Sequence, residues 1–256
     1  GTVELYYDAP RLSVAGQSAH LYVQVPTLAS TADTTIWAWV GNAEATAPSA
    51  AWMRNTYSNA FAACYHFEEA IWNGTTGEVK NAVADKYHGT SGGGAVVTTG
   101  LLGSGGGDFD SEGETDYGPA RVALPGWGPG AYWANSYIGG TYVLTPRAGT
   151  GSCWFRQPTG RAVVNGVLFG CGSDSKGYYV ELQTTGIVLK VGGGSADKVW
   201  LTALGSYADD AWHHVACSFR NVDGDWQAAL YVDGLRAVDW TACPTAENGS
   251  YNHITV

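Results

Sequence analysis

Asp210-Asp-Ala-Trp-His-His-Val-Ala-Cys-Ser-Phe-Arg220, followed after a polar stretch by Ala228-Ala-Leu-Tyr-Val-Asp-Gly234, decides how this chain is read. In extended backbone successive side chains point to opposite faces, so residues two apart share a side. His213, Val215, Cys217 and Phe219 then fall on one face, and Ala228, Leu230 and Val232 line the inward face of the next run. Asn221 to Asp225 is a polar turn, and Asp233-Gly234 is a strong hairpin signal because both residues tolerate positive φ. Val238 to Thr241 returns as a further strand.

Working outward, the same two-residue period recurs. Ser152 to Arg156 and Val163 to Phe169 bracket the turn at Pro158-Thr-Gly160. Tyr178, Val180 and Leu182 share a face, Gly186 marks a turn, and Ile187, Leu189 and Val191 share the next face. Residues 199 to 203 give another short strand. Regular period-2 runs separated by Gly and Asp turns are the signature of an all-β antiparallel sandwich or barrel.

Composition agrees. Gly is 36 of 256 residues without a G-X-Y period, which excludes collagen, while Trp (11) and Tyr (15) are abundant and suit pleated surfaces. The net charge is -10 with only 13 Lys and Arg, so no basic stripe can cover a phosphate backbone and nucleic-acid binding is excluded. Anionic membranes are poor partners for the same reason, and no run approaches the ~20 apolar residues of a membrane span. This charge suits a soluble or cation-binding surface, or contact with neutral glycans. Both ends read as strand interiors, so the chain is expected to be cut from a longer polypeptide.

Towards the N-terminus, Leu21, Val23 and Val25 alternate, and Ile36-Trp-Ala-Trp-Val40 reads as a second strand, giving a hairpin. Residues 44 to 60 read as a connector with one short helix. Phe61 to Phe67 reads as a buried strand, Ala95 to Thr99 as a short strand, 103 to 118 as a Gly and acid loop, and 125 to 140 as an aromatic loop. The five cysteines, 64, 153, 171, 217 and 243, are an odd set without a Cys-x-x-Cys pair. Cys153 with Cys171, and Cys217 with Cys243, flank neighbouring strands and could be bridged. Equally, all five could be small buried hydrophobes, with Cys64 the unpaired one.

The Trp212-His-His-Val-Ala216 and Leu230-Tyr-Val-Asp-Gly234 motifs resemble the laminin G-like and pentraxin-like members of the concanavalin A-like jelly rolls. Tyr65-His-Phe-Glu-Glu69 and Asp85-Lys-Tyr-His-Gly-Thr90 resemble the opening of the same family. The likeness covers about residues 61 to 256. Leu21-Tyr-Val-Gln-Val-Pro-Thr-Leu28 and Ile36-Trp-Ala-Trp-Val-Gly-Asn42 resemble the later part of a DUF2341-like β domain. The resemblance implies a partial β domain and connector at 1–55, then a jelly-roll domain at 56–256. It also implies a binding or adhesion role in a larger extracellular, cell-surface or virion protein.

Two loops hold candidate sites. Asp108, Asp110, Glu112, Glu114 and Asp116 offer hard oxygen ligands for Ca²⁺, although Pro119 stands where an EF-hand needs Glu. The bland alternative is a solvated turn. Trp127, Tyr132, Trp133 and Tyr137, with Asn135 to fix hydroxyls, could form a sugar platform, or pack within the loop or against a neighbouring subunit. No catalytic residue is assigned. His213 shares the face of buried residues and His214 points the other way. No Gly-x-Ser-x-Gly elbow is present, and adjacent Glu68 and Glu69 on a strand would point apart. The expected function is a noncatalytic carbohydrate-binding or adhesion module. The alternative is a structural assembly component such as a phage capsid, tail or surface-filament protein, ahead of a glycoside hydrolase or lyase. Expected partners are glycans or neighbouring protein subunits.

Overall fold

The structure is a computed structural model that describes residues 4–13, 18–28, 30–39, 41–42, 44, 46, 48–57, 61, 63–83, 88–92, 95–98, 100–101, 106–108, 121–123, 134–138, 141–145, 149–160, 166–173, 176–193 and 198–243. The side chains of 9–13, 18–20, 121, 123, 134–138, 141–145, 171–173, 176–177, 193 and 198 lie outside the described set. The chain divides into two compact units, one formed by 1–71, 80–86 and 97–107, the other by 72–79, 87–96 and 108–256.

The first unit carries β1 (Tyr7–Ser13), β2 (Ser18–Val23) and α1 (Ala50–Asn55). β1 and β2 pair antiparallel, with Tyr7 opposite Val23 and Ser13 opposite Ser18. Ser49 caps α1 through its hydroxyl, which accepts from the Trp52 amide at 3.2 Å. Two sequence expectations are corrected here. Residues 33–39 form no strand, and Ile36, Trp37 and Trp39 are exposed, the last at 92%. Phe61 to Phe67 is not a strand either: its one ladder contact among the described residues is an isolated bridge from Tyr65 to Asn81, and Phe61 is exposed. Alternation marks a strand only where a second backbone edge completes its hydrogen bonds.

The next elements are short: β3 (Thr90–Gly92), β4 (Val96–Thr98), β5 (Gly106–Asp108) and β6 (Arg121–Ala123). β3 pairs with β6. β7 (Ala134–Ile138) and β8 (Thr141–Thr145) form a hairpin, so the stretch read as an aromatic loop contains a strand holding Asn135 and Tyr137.

The sandwich is built from β9 (Gly149–Arg156), β10 (Gly166–Ser173), β11 (Lys176–Gln183), β12 (Gly186–Gly193), β13 (Lys198–Leu204), β14 (Trp212–Val222), β15 (Asp225–Val232) and β16 (Leu235–Ala242). One antiparallel sheet runs β10-β11-β12-β13, and the other runs β16-β15-β14-β9. The expected inward faces meet in one core: Val180, Leu182, Ile187, Leu189 and Val191 from the first sheet, Phe155, Val215, Cys217, Phe219, Leu230 and Val232 from the second. Val180, Ile187, Leu189, Val215, Cys217 and Leu230 are each 0% exposed. The all-β antiparallel sandwich read from alternation is therefore the observed architecture, with a partial β region before it.

Register in the second sheet is pinned by two Asp-Gly hairpins. Asp223 and Gly224 have φ of 54° and 98°, and Asp233 and Gly234 have 50° and 78°, the double positive φ that matches strand twist. Cys64, Cys153, Cys217 and Cys243 form no disulfide, so neither suggested bridge forms at these positions. Cys153 stands opposite Val215 in the ladder, and burial beside Cys217 pushes its thiol up to about 12.

Candidate functional site

The outward face of the β16-β15-β14-β9 sheet follows from the same period that builds the core. With His213, Val215, Cys217 and Phe219 inward, Trp212, His214, Ala216, Ser218 and Arg220 point out. Across the ladder Trp154 stands opposite His214 and Arg156 opposite Trp212. At one end of this face lies a shallow recess of about 520 Å³ lined by Trp154, Trp212, His214, Asp233 and Gly234. Trp154 is 47% exposed and its ring lies 5.0 Å from that of His214, tilted by 52°. The Arg156 guanidinium lies over the Trp212 ring at 5.7 Å.

Asp233, on the hairpin turn, ties the recess to the layer beneath. Its Oδ1 accepts from the His214 amide at 2.8 Å, and its Oδ2 is 2.8 Å from His213 Nδ1. His213 Nε2 is 3.1 Å from Asp209 Oδ1, and its ring packs between Phe155 and Tyr207. The expected burial of His213 is only partly met: 13% of its side chain is exposed, because it turns to two carboxylates at the rim of the core. Burial disfavours the imidazolium, but the two carboxylates outweigh it and raise the His213 pKa. For Asp233, burial opposes ionisation, yet the His213 hydrogen bond and the His214 amide hold its carboxyl below the usual range. The clamp keeps Asp233 charged and fixes the turn that walls the recess.

The first unit holds a second polar cluster. The Tyr57 hydroxyl donates to Asp8 Oδ2 at 2.7 Å, and His66 Nε2 is 3.0 Å from the same oxygen and 2.9 Å from the hydroxyl. Cys64 Sγ is 3.9 Å from both ring nitrogens. The Tyr22 ring lies 4.9 Å from that of His66. Tyr57 and Asp8 are 3% and 7% exposed, so the cluster is an internal strut. Burial opposes the His66 charge, but Asp8 and Cys64 override it and push the pKa up to about 10. Glu68 is raised to about 7, chiefly by burial, and its Oε1 is buried without a hydrogen-bond partner among the described residues. Glu69 instead accepts from the Lys80 amide at 2.7 Å.

Both shifts have one sign. His66 and Glu68 bind protons more tightly folded than unfolded, so each stabilises fully below its ordinary value, 6.5 or 4.5. That stability is lost as pH rises through about 10 and about 7 respectively. Hydrogen exchange of β1 and β2, corrected for intrinsic rates, is expected to show protection falling from pH 5 to pH 9. Glu68→Gln should remove the lower part of the fall, and a flat wild-type profile would contradict the assignment.

Of the residues singled out from sequence, Asp108 ends β5. Asp110, Glu112, Glu114 and Asp116 lie outside the described residues, as do Trp127, Tyr132 and Trp133. Asn135 and Tyr137 sit on β7, with side chains outside the described set. Among the described residues no group of three His, Cys, Asp or Glu side chains is placed to hold a metal ion. No described helix is long and apolar enough to cross a membrane. The recess was missed because each member looked ordinary alone. The available signal was the pairing of outward Trp and His residues on strands that flank an Asp-Gly turn.

No family model matches the chain, and no curated protein matches it. A solved structure that aligns with it is domain 4 of an extracellular GH43 arabinanase from Geobacillus stearothermophilus, in complex with arabinotriose. The alignment has 17% identity, covers 68% of this chain and 75% of that one, and has a TM-score of 0.42.

Proposed function

We propose that the sandwich is a noncatalytic carbohydrate-binding module and that the Trp154 recess is its sugar site. The observation that carries this is a half-exposed indole beside Trp212, with His214 and Asp233 at its edge. A flat aromatic face takes the apolar face of a sugar ring, while convergent polar groups select its hydroxyls. Asp233 suits this task because the His213 clamp fixes its position. The residues Trp127, Tyr132, Trp133, Asn135 and Tyr137 belong to the proposal as a second sugar-contacting set. Such a role fits an extracellular, cell-surface or virion protein.

The test is a glycan array probed with the 256-residue chain, with and without Ca²⁺. Binding lost in Trp154→Ala is the expected result; no binding in either condition overturns the reading. Binding that falls on chelation would bring Ca²⁺ into the mechanism, with Asp108, Asp110, Glu112, Glu114 and Asp116 as its proposed ligands, and unchanged binding would remove it.

A second reading has its own observation. Ile36, Trp37 and Trp39 are exposed by 48%, 74% and 92% on one short stretch, the kind of apolar surface that neighbouring subunits cover. Assembly through this stretch predicts a self-association that Trp37→Ser and Trp39→Ser together abolish in sedimentation velocity. A wild-type chain that stays monomeric would exclude association between copies.

A further inference from the structure

We infer that the sugar taken by this face is acidic, and that it is part of a polymer lying along β14. The inference rests on the carbohydrate-binding reading and adds to it the charge and length of the ligand. It starts from two matched pairs. Arg156 lies over Trp212 at 5.7 Å at the recess, and Arg220 lies over Trp240 at 4.1 Å at the other end of the same outward face. Trp212 and Arg220 stand eight positions apart on one strand, roughly 26 Å at ~3.3 Å per residue.

Between the pairs the face carries hydroxyl groups. Ser152 stands opposite Ala216, and Thr150 opposite Ser218, with their hydroxyls 2.8 Å apart. Ala216 and Ala229 are buried, and Tyr231 stands opposite Ala216 on β15. A single sugar would need only the recess. A cation over an indole, repeated one strand length away across a row of hydroxyl side chains, fits a chain of sugars.

The charge follows from which carboxylates are occupied. Each oxygen of Asp233 has one partner inside the protein, the His213 ring or the His214 amide, so its charge is balanced locally while a lone pair stays open to a sugar hydroxyl. Asp239 pairs with Arg236 at 3.3 Å. Asp225 lies at the Asp223-Gly224 turn, opposite Val222. Among the described residues neither Arg156 nor Arg220 has a carboxylate within ion-pair distance. Arg220 directs Nε and Nη2 to Gln227 Oε1, which leaves Nη1 for a ligand. A guanidinium is a charged donor suited to a carboxylate: Arg156 can offer two parallel hydrogen bonds, and Arg220 one, from Nη1. The chain's net charge of -10 does not oppose this locally, because salt screens beyond ~8 Å at physiological ionic strength. A sulfate would meet the same donors, so the test separates the two anions.

The experiment uses the intact chain in affinity gels and titration calorimetry. The probes are polygalacturonate, its fully methyl-esterified form, dextran sulfate, dextran, neutral xylan and a galacturonic acid trimer. Polygalacturonate is expected to bind at least tenfold tighter than its ester, and to weaken as salt is raised. Arg156→Gln should weaken both trimer and polymer by roughly tenfold, the scale of a lost charged hydrogen bond. Arg220→Gln should weaken the polymer and leave the trimer unchanged. Dextran sulfate retained above polygalacturonate would keep the acidic polymer and assign sulfate as its anion. Neutral xylan or the ester bound as tightly, with both Arg variants unchanged and Trp154→Ala inactive, would overturn the inference and leave the carbohydrate-binding reading standing. No retardation by any polymer, with a blank glycan array, would remove both. The salt dependence of the wild-type chain needs no variant and guards against misfolding of either substitution.

Discussion

Gly186→Ala is expected to lower the unfolding temperature of the sandwich by roughly 6–12 °C, since ~3 kcal/mol corresponds to about 2–4 °C per kcal/mol at this size. Gly186 opens β12 with φ of 150° and stands opposite Leu204. A methyl group there would collide with the Ala203 carbonyl and stand 3.1 Å from Leu204 Cα, and neither is the free end of a side chain. The β12–β13 ladder would have to open at this point, and the core side chains Ile187 and Ala203 would shift with it. Gly160→Ala is the matched control: its φ is also positive, at 83°, but nothing lies within 4 Å of the new methyl. It should cost only about 1 kcal/mol of backbone strain. Scanning calorimetry of both variants decides the point. Equal unfolding temperatures would mean that the close approach is not a constraint on the fold.

Trp154→Ala should weaken sugar binding by at least about 30-fold while leaving stability within about 1 kcal/mol of wild type. The fold-change is that of a central aromatic contact worth ~2 kcal/mol. The contrast arises because 47% of Trp154 already faces water, so its removal opens no cavity in the core. Phe155, its neighbour on β9, is 8% exposed and would behave oppositely: Phe155→Ala should destabilise by about 3–5 kcal/mol. Calorimetric titration with the strongest array oligosaccharide, paired with thermal unfolding, separates the two. If Trp154→Ala bound as wild type, the recess would lose its claim to the sugar.

These two residues also show what alternation can and cannot reveal. The described strands between 149 and 242 announce themselves because each has a paired neighbour and one side turned towards the core, so period and packing coincide. Ile36 to Val40 and Phe61 to Phe67 carry a strand-like pattern, yet lack the neighbouring edge that would turn pattern into ladder. The Asp8, Tyr57 and His66 network was invisible for another reason. Its partners are 49 and 58 positions from Asp8, and no local rule links residues at such separations. The recess lies between these cases. The period placed His214 outward, but only the register of β9 against β14 brings Trp154 beside it. The candidate loops at 103–118 and 125–140 were chosen by composition, which identifies chemistry without saying where it converges.

The unbridged thiols of the second sheet bear on how this protein is assembled. Cys153 and Cys217 sit within or against the hydrophobic core, and the Cys243 thiol is likewise pushed up, to about 11, by burial. At neutral pH the Cys153 and Cys243 thiols are almost entirely uncharged, and an uncharged sulfur is a poor nucleophile towards oxidants or mixed disulfides. The sheet can therefore close in a reducing or an oxidising compartment with the same contacts. Its interior packing supplies the cohesion that small disulfide-rich domains draw from covalent cross-links.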